Sequence, residues 1–262
     1  MVAPPLVEFR NVTVCRGDRL ALDRISLAIA LGEHVAILGP NGSGKSTLIK
    51  TITRECYPIQ DRDSSVRILG QDVWNVFDLR VLVGIVSNDL VDGCRWDISG
   101  EELILSGFFS SLGIWPNHHV TSSMQRKTRE VLDRLEIAHL AARNIHEMSS
   151  GEVRRVLIGR ALVHDPKALV LDEPANSLDI RARKELYGSL ATLAEAGTSI
   201  VMVTHHLEDI LPAIRRVVLL RRGTVFRDGM KDAVLTSKLL SAVFETPVQV
   251  ARRNGHYRVW TV

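Results

Sequence analysis

A glycine-rich run near the N-terminus has the residue types of a phosphate-binding loop. It matches the pattern G-x-x-x-x-G-K-[ST] and consists of Gly39, Pro40, Asn41, Gly42, Ser43, Gly44, Lys45, Ser46 and Thr47. Small residues allow successive backbone N–H groups to close around phosphate oxygens without Cβ collisions. Lys45 would reach the terminal phosphates of a polyphosphate, and the Ser46 hydroxyl would ligate Mg²⁺. An ordinary strand-to-helix turn, the alternative, requires neither the lysine nor the hydroxyl.

Two adjacent carboxylates follow a strongly apolar run later in the chain. Residues 168–171 are Ala-Leu-Val-Leu, and Asp172 and Glu173 come next. A strand buried on both faces would present these carboxylates at its C-terminal end, where open parallel sheets place ligands. Asp172 suits Mg²⁺, held through water, and Glu173 suits a general base that polarises an attacking water. The alternative is two solvated acids at a strand end. The presence of a phosphate loop in the same chain makes this alternative less favoured.

A helix start that contains serine and glycine lies about twenty residues before the acidic pair. Its run, residues 148–152, reads MSSGE, and a serine at this place could simply cap the helix. With the two motifs above, the run resembles the signature of ATP-binding cassette ATPases, Leu-Ser-Gly-Gly-Gln, although it departs at three of five places. In that family the segment contacts the γ-phosphate bound to the opposite subunit. The resemblance therefore assigns this contact to Ser149 and Gly151, within a segment that also includes Ser150 and Glu152.

Two further segments resemble family motifs by their order and spacing. Residues 177–179, Ser-Leu-Asp, resemble the D-loop, which communicates across the family's dimer through Ser177 and Asp179. His205 follows an apolar run, as the family's switch histidine does, and His206 is its neighbour. A histidine after a buried strand is by itself more often a packed or surface residue, so His205 takes its role from the resemblance.

The strand and helix patterns alternate along the chain, which predicts a mostly parallel sheet with helices on both faces. Predicted strands cover 6–14, 20–30, 34–38, 66–69, 83–86, 168–171 and 199–203. Predicted helices cover 45–53, 73–80, 101–109, 122–135, 151–163 and 180–194. Residues 248–262 alternate on either side of Asn254-Gly255, which predicts a C-terminal hairpin.

The resemblance extends from the opening strands to about Arg227 and implies an α/β fold. That fold is a RecA-like P-loop NTPase core with an antiparallel β-subdomain and an inserted α-helical lobe. We expect residues 1–87 and 146–262 to form the core, with the β-subdomain and the C-terminal hairpin. Residues 88–145 would form the helical lobe.

Two positions depart from the family pattern. Family members carry an aromatic residue that stacks on adenine after the first strand, where this chain has Arg16. Its planar guanidinium could stack on a base instead, although a solvated turn residue is an equal alternative. Where the family has a glutamine that ligates Mg²⁺, this chain has Asn88, whose side chain is one methylene shorter, followed by Asp89. Either residue could take the metal.

Bulk properties exclude several other functions. The formal charge of +3 is too small to argue for a nucleic-acid partner, and no apolar run reaches the length of a membrane span. We expect no secretory signal, and free thiols at Cys15, Cys56 and Cys94 in a reducing cytosol. Adjacent His118 and His119 lack a spaced third ligand, which favours solvated histidines over a metal site.

The resemblance implies an ATP hydrolase that uses ATP and Mg²⁺ and pairs with a second cassette, most simply as a homodimer. Its output would drive an integral membrane transporter subunit, which would hold the chain in the cytoplasm at the inner face of the plasma membrane. Stand-alone ATPases of DNA repair or translation and a non-hydrolysing regulatory cassette are the alternatives. The implied catalytic residues are Glu173, His205 and Lys45, and the implied metal ligands are Ser46, Asp172 and Asn88.

Overall fold

The computed structural model describes residues 4–93, 97–253 and 255–261. The strands are β1 (Val7–Arg16), β2 (Arg19–Ile29), β3 (Val35–Leu38), β4 (Ser65–Ile68), β5 (Val83–Val86), β6 (Ala168–Asp172), β7 (Ser199–Thr204), β8 (Arg216–Arg221), β9 (Thr224–Met230), β10 (Val248–Arg253) and β11 (His256–Thr261). The α-helices are α1 (Lys45–Ile52), α2 (Val76–Leu82), α3 (Asn88–Gly93), α4 (Gly100–Leu105), α5 (Ser122–Arg134), α6 (Ser150–Leu162), α7 (Ile180–Glu195), α8 (Lys231–Val234) and α9 (Ser237–Phe244). Short 3₁₀ turns are Ser106–Phe109, Ala138–Leu140, Ile145–Glu147 and Leu207–Asp209.

The chain divides into two compact units. Unit one comprises residues 1–76 and 199–262, and unit two comprises residues 77–198. The predicted boundaries of the helical lobe, 88 and 145, do not coincide with this division and stay a prediction. None of the helices in the described ranges is long and apolar enough to span a bilayer.

The described part of unit one contains three sets of paired strands, of which the C-terminal hairpin is one. In the first, β1 pairs antiparallel with both β2 and β4, and inward-facing residues of β1 alternate with more exposed ones. In the second, β3 lies between β7 and β8 and runs parallel to both, while β9 pairs antiparallel with β8. All four residues of β3 are buried, as expected for a strand of a parallel sheet that is covered on both faces. The predicted strands 6–14 and 20–30 are confirmed as β1 and β2, and the predicted strands 34–38 and 199–203 are confirmed as β3 and β7.

The C-terminal hairpin is also confirmed. Strands β10 and β11 pair antiparallel from Val248 opposite Thr261 to Arg253 opposite His256, and Asn254 lies outside the described residues. The buried Tyr257 ring anchors this hairpin, because its hydroxyl donates a hydrogen bond to Asp232. Burial, together with that bond to a carboxylate, raises the pKa of Tyr257 to about 12.

Two predicted helices differ from the structure at their ends. The helix predicted over 73–80 is α2, which begins only at Val76; before it, the Trp74 indole N–H donates to the Ile68 carbonyl at 3.1 Å, outside any helical pattern. The helix predicted over 101–109 leaves the α conformation after Leu105. There the Ser106 hydroxyl donates to the Leu103 carbonyl at 2.7 Å, which competes with the regular helical pattern.

Unit two is built around a pair of parallel strands and a buried helix. Strand β5 pairs with β6, from Val83 opposite Ala168 to Val86 opposite Leu171. Helix α6 packs against β5 closely, since a Cβ added at Gly84 would lie 2.8 Å from the Ala161 carbonyl oxygen. Apart from its last residue, β6 is fully buried, which places its carboxyl end where a strand can present polar groups.

The starts of α6 and α7 pack against each other through a glycine. A Cβ added at Gly151 would lie 2.6 Å from the Ala182 Cβ, closer than real Cβ atoms approach one another. Asp179 begins α7 by accepting the Ala182 N–H at 2.7 Å, so Ala182 cannot easily move away. Gly151 therefore has a packing role that is independent of any ligand.

We predict that Gly151→Ala lowers the free energy of unfolding by about 1–3 kcal/mol, because overpacking forces the two helix starts apart. Adding Ala182→Gly to this variant should restore most of that loss, since it removes the opposing methyl group. Chemical denaturation of the two single variants and the double variant measures both effects. Equal stability of the Gly151→Ala variant and the original chain would contradict the packing role.

Candidate functional site

Two strands of unit one approach the backbone of the glycine-rich loop and leave no room for a Cβ at Gly39 or Gly44. A Cβ added at Gly39 would lie 2.3 Å from the Leu220 carbonyl oxygen, and one at Gly44 would lie 2.6 Å from the Ala21 carbonyl oxygen. Gly44 also has a φ of 103°, in the left-handed region that favours glycine. Helix α1 starts directly after it, so its free N–H groups and positive dipole end face the loop.

Polar atoms of the loop fit a phosphate ligand. Lys45 is 6% exposed, and its Nζ donates to the carbonyl oxygens of Gly39, at 2.8 Å, and Pro40, at 3.0 Å. These neutral acceptors hold the ammonium over the loop, where a phosphate would supply negative charge. The buried Ser43 hydroxyl has no hydrogen-bond partner in the described part of the chain, whereas buried polar atoms are normally paired. Ser46 is exposed, as a metal-binding hydroxyl must be.

His205 leaves the sheet beside the glycine-rich loop. Leu38, the last residue of β3, lies opposite Thr204, the last residue of β7, so Gly39 and His205 follow neighbouring parallel strands at the same edge. The half-buried His205 ring packs on the His206 ring, with centroids 3.9 Å apart. The structure thus brings together the predicted loop and the predicted switch histidine within unit one.

Asp209 supports the turn that follows β7 and was not predicted from the sequence. It is 1% exposed, and its carboxylate accepts the Thr204 hydroxyl proton at 2.9 Å. The same hydroxyl oxygen accepts the His206 N–H at 3.1 Å, which fixes the chain on both sides of His205. Residues 205–211 read HHLEDIL, and no local pattern distinguishes Asp209 from the neighbouring Glu208.

In unit two, Asp172 and Glu173 emerge at the carboxyl end of β6, as predicted. Both residues are half-buried. Glu173 has a φ of 49°, a left-handed conformation that costs a residue with a Cβ about 1 kcal/mol or more. Arg154 Nη1 donates to the Glu173 carbonyl oxygen at 2.7 Å and thereby helps to hold this conformation.

Asn88 lies at the start of α3 in the same unit. Its Oδ1 accepts a hydrogen bond from Arg154 Nη2 at 2.9 Å, while the following Asp89 is exposed. The oxygen expected to bind Mg²⁺ therefore already faces a guanidinium. Sequence reasoning missed Arg154, although a charged residue among the apolar positions of a buried helix was a visible signal.

The segment that resembles the family signature, residues 148–152, begins α6 with a complete capping box. Ser149 Oγ accepts the Glu152 N–H at 3.3 Å, and Glu152 Oε2 accepts the Ser149 N–H at 2.8 Å. Burial opposes ionisation of Glu152, but the hydrogen bonds from Ser149 and from Arg143 outweigh it and lower the pKa of Glu152. Ser149 and Ser150 stay exposed, so the helix start is accessible from outside the chain.

Residues 177–179, which resemble the D-loop, lie next to the start of α6, because the Gly151–Ala182 contact joins α6 to the beginning of α7. Ser177 is exposed, with a φ of 63°, and Asp179 caps α7. Unit two therefore assembles the acidic pair, Asn88, the signature segment and the D-loop.

The remaining predicted residues lie apart from these groups. Arg16 is exposed at the end of β1, opposite Arg19, and its contact with a base stays a prediction. His118 is half-buried and stacks on the Phe109 ring with centroids 4.2 Å apart, while His119 is exposed. Cys15 and Cys56 are free thiols, and Cys94 lies outside the described residues.

Comparisons with known proteins identify the family of this chain. Residues 22–176 match the family model described as ABC transporter. The uncharacterised ABC transporter ATP-binding protein YlmA of Bacillus subtilis is 33% identical over 254 residues, which cover 94% of this chain and 93% of that relative.

Solved structures give the same result. The fold matches cbiO1 from Clostridium perfringens, part of the ABC transporter complex cbiONQ, with a TM-score of 0.77, 26% identity, and coverage of 91% of this chain and 94% of that one. It also matches a dimeric bacterial ABC transporter cassette with a TM-score of 0.70, 25% identity, and coverage of 86% and 98%. The expected P-loop NTPase fold is confirmed, and this chain belongs to the ABC transporter family as an ATP-binding subunit.

Proposed function

We propose that this chain hydrolyses Mg-ATP and that hydrolysis drives a membrane-embedded partner. The observation that carries the proposal is the loop at residues 39–47, whose backbone closes around the buried Lys45 ammonium and the Ser43 hydroxyl, which has no partner among the described residues. Both groups, and the start of α1, suit the phosphates of a nucleotide. Ser46 and Asp172 would hold Mg²⁺, which neutralises charge on the phosphates.

Glu173 is the proposed general base. Its side chain follows a buried strand, and its backbone conformation is held from behind by Arg154, so the carboxylate can stay oriented toward a water. His205, which leaves the strand next to the one that precedes the glycine-rich loop, would donate to the γ-phosphate as charge develops there. Lys45 would stabilise the same charge.

We infer further that two copies of the chain pair around ATP. Support comes from the exposed start of α6, where Ser149 and Ser150 are accessible. The similar dimeric cassette supports a paired arrangement. Ser149 and Gly151 of one copy would contact the γ-phosphate held by the other copy.

The partner would be an integral membrane subunit, which places the chain at the inner face of the plasma membrane. Support comes from the similar cbiO1, a part of a transporter complex. A stand-alone or regulatory cassette is the second reading. The lysine, the acidic pair and the histidine are all present, which favours a hydrolysing engine over a regulatory one.

We expect Glu173→Gln to retain ATP binding and to lower turnover at least ~100-fold, about 2.7 kcal/mol of barrier, because the amide cannot accept a proton from water. Phosphate release and equilibrium ATP binding measure the two properties. Glu195→Gln, at the exposed end of α7, is the matched control and should keep normal turnover. Turnover of the Glu173→Gln variant close to that of the original chain would exclude Glu173 as the base.

Affinity purification of the tagged chain from detergent-solubilised source membranes should recover an integral membrane protein in stoichiometric amount. The tag alone, expressed in the same cells, is the control. Recovery of ribosomes, of DNA, or of the chain alone would contradict the transport role while leaving ATP hydrolysis intact.

A further inference from the structure

Arg154 occupies the centre of unit two. Its side chain belongs to α6, four residues after the helix begins, and the residue is only 5% exposed. Its guanidinium donates to three oxygens on other segments: the Glu173 carbonyl at 2.7 Å, the Asn176 carbonyl at 3.1 Å, and Asn88 Oδ1 at 2.9 Å. The Arg154 side chain thus contacts Glu173, the proposed general base, and Asn176, which precedes the D-loop. It also contacts Asn88, which stands where the family has a glutamine.

The chemistry of this cluster requires an arginine. A guanidinium presents several N–H groups in a fixed planar fork, so it can bridge separate acceptors that a lysine ammonium on a flexible stem would not hold in one geometry. Burying a charge is costly unless its hydrogen bonds are made. The positions of Asn88, Glu173 and Asn176 are therefore linked to one another through the guanidinium.

The contact with Asn88 also bears on the metal. Asparagine is one methylene shorter than the glutamine of the family pattern, and its oxygen already accepts a hydrogen bond from a cation. A divalent cation on the same oxygen would be repelled by the guanidinium at this distance, an effect that a partly buried site screens weakly.

We propose that Arg154 is a positioning residue for ATP hydrolysis, which holds helix α6 to Glu173 and to Asn88. Asn88 then acts through its hydrogen bond with Arg154 rather than as a ligand of Mg²⁺. The inference rests on the proposed function. Arg154 would connect a contact made at Ser149–Gly151 directly to Glu173. Ser149–Gly151 form the start of α6, and Arg154 of the same helix bonds the Glu173 carbonyl. This connection exists in the protein alone and needs no metal.

The test compares Arg154→Met and Asn88→Ala with the original chain for kcat, for the KM of ATP, and for the Mg²⁺ concentration at half-maximal rate. Arg154→Met should lower kcat about 10- to 100-fold, because small misplacement of a catalytic group has effects of this size. The KM of ATP should change less than about twofold, since the glycine-rich loop is untouched. Asn88→Ala should lower kcat less, because two of the three hydrogen bonds remain, and should leave the Mg²⁺ requirement unchanged.

Three further measurements separate positioning from general destabilisation. Arg155→Met is the matched control, because Arg155 lies on the same helix, pairs with Glu185 at 3.0 Å, and makes no hydrogen bond to Asn88, Glu173 or Asn176 in the described part of the chain; its kcat should stay near normal. Arg154→Lys should remain impaired, since it keeps the charge and loses the fork. Hydrogen exchange of residues 173–179 in nucleotide-free, metal-free protein should rise in Arg154→Met and not in Arg155→Met.

Each contrary outcome has a distinct meaning. Absence of turnover in the original chain, with its membrane partner present, would overturn the proposed function itself. Normal kcat in Arg154→Met, or full activity in Arg154→Lys, would overturn the positioning role alone. If Arg154→Met does not fold, Asn88→Ala decides: an unchanged kcat, or a several-fold higher Mg²⁺ requirement, contradicts the proposal.

Discussion

The buried guanidinium of Arg154 can remain in the interior of unit two only while oxygen atoms surround it. Leaving such a charge without its acceptors costs several kcal/mol, a large share of the stability of a typical domain. Two segments that are distant in sequence, residue 88 and residues 173–176, are therefore held to helix α6 in one arrangement. The unusual backbone conformation of Glu173 persists because its carbonyl is one of those acceptors.

A steric constraint has the same organising effect in unit one. Strands β2 and β8 approach the glycine-rich loop so closely that Gly39 and Gly44 have no space for a Cβ. The loop must then follow the path that turns its backbone and the start of α1 toward a common centre, over which Lys45 folds. Phosphate recognition thus arises from backbone packing as much as from the lysine.

The parts of this fold that could be predicted from the sequence are those with local causes. Four apolar residues before the glycine-rich loop and four before Asp172 predict buried parallel strands, and both are present. Strands β8 and β9 and helices α8 and α9 were not predicted. Strand β9 in particular is largely exposed, so its sequence lacks a strong apolar alternation. Strand β8, in contrast, is buried and has an apolar run at residues 217–220, so its signal was present in the sequence and was missed.

The site shows the same limit. The residues of the glycine-rich loop, Asp172 and Glu173 follow from short motifs, whereas Arg154 bonds Asn88 across 66 positions and Glu173 across 19. No local pattern encodes such contacts. For Gly151, the motif suggests a ligand contact. The structure shows a second reason for a glycine there, the close Ala182 methyl group, which the sequence does not reveal.

The central claim is that one copy of this chain completes the nucleotide site of a second copy. Sedimentation velocity of the Glu173→Gln variant, with and without saturating Mg-ATP, tests this claim most directly, because blocked hydrolysis preserves the paired state. The account predicts a monomer without nucleotide and a dimer with Mg-ATP. A chain that binds ATP and still sediments as a monomer would contradict it.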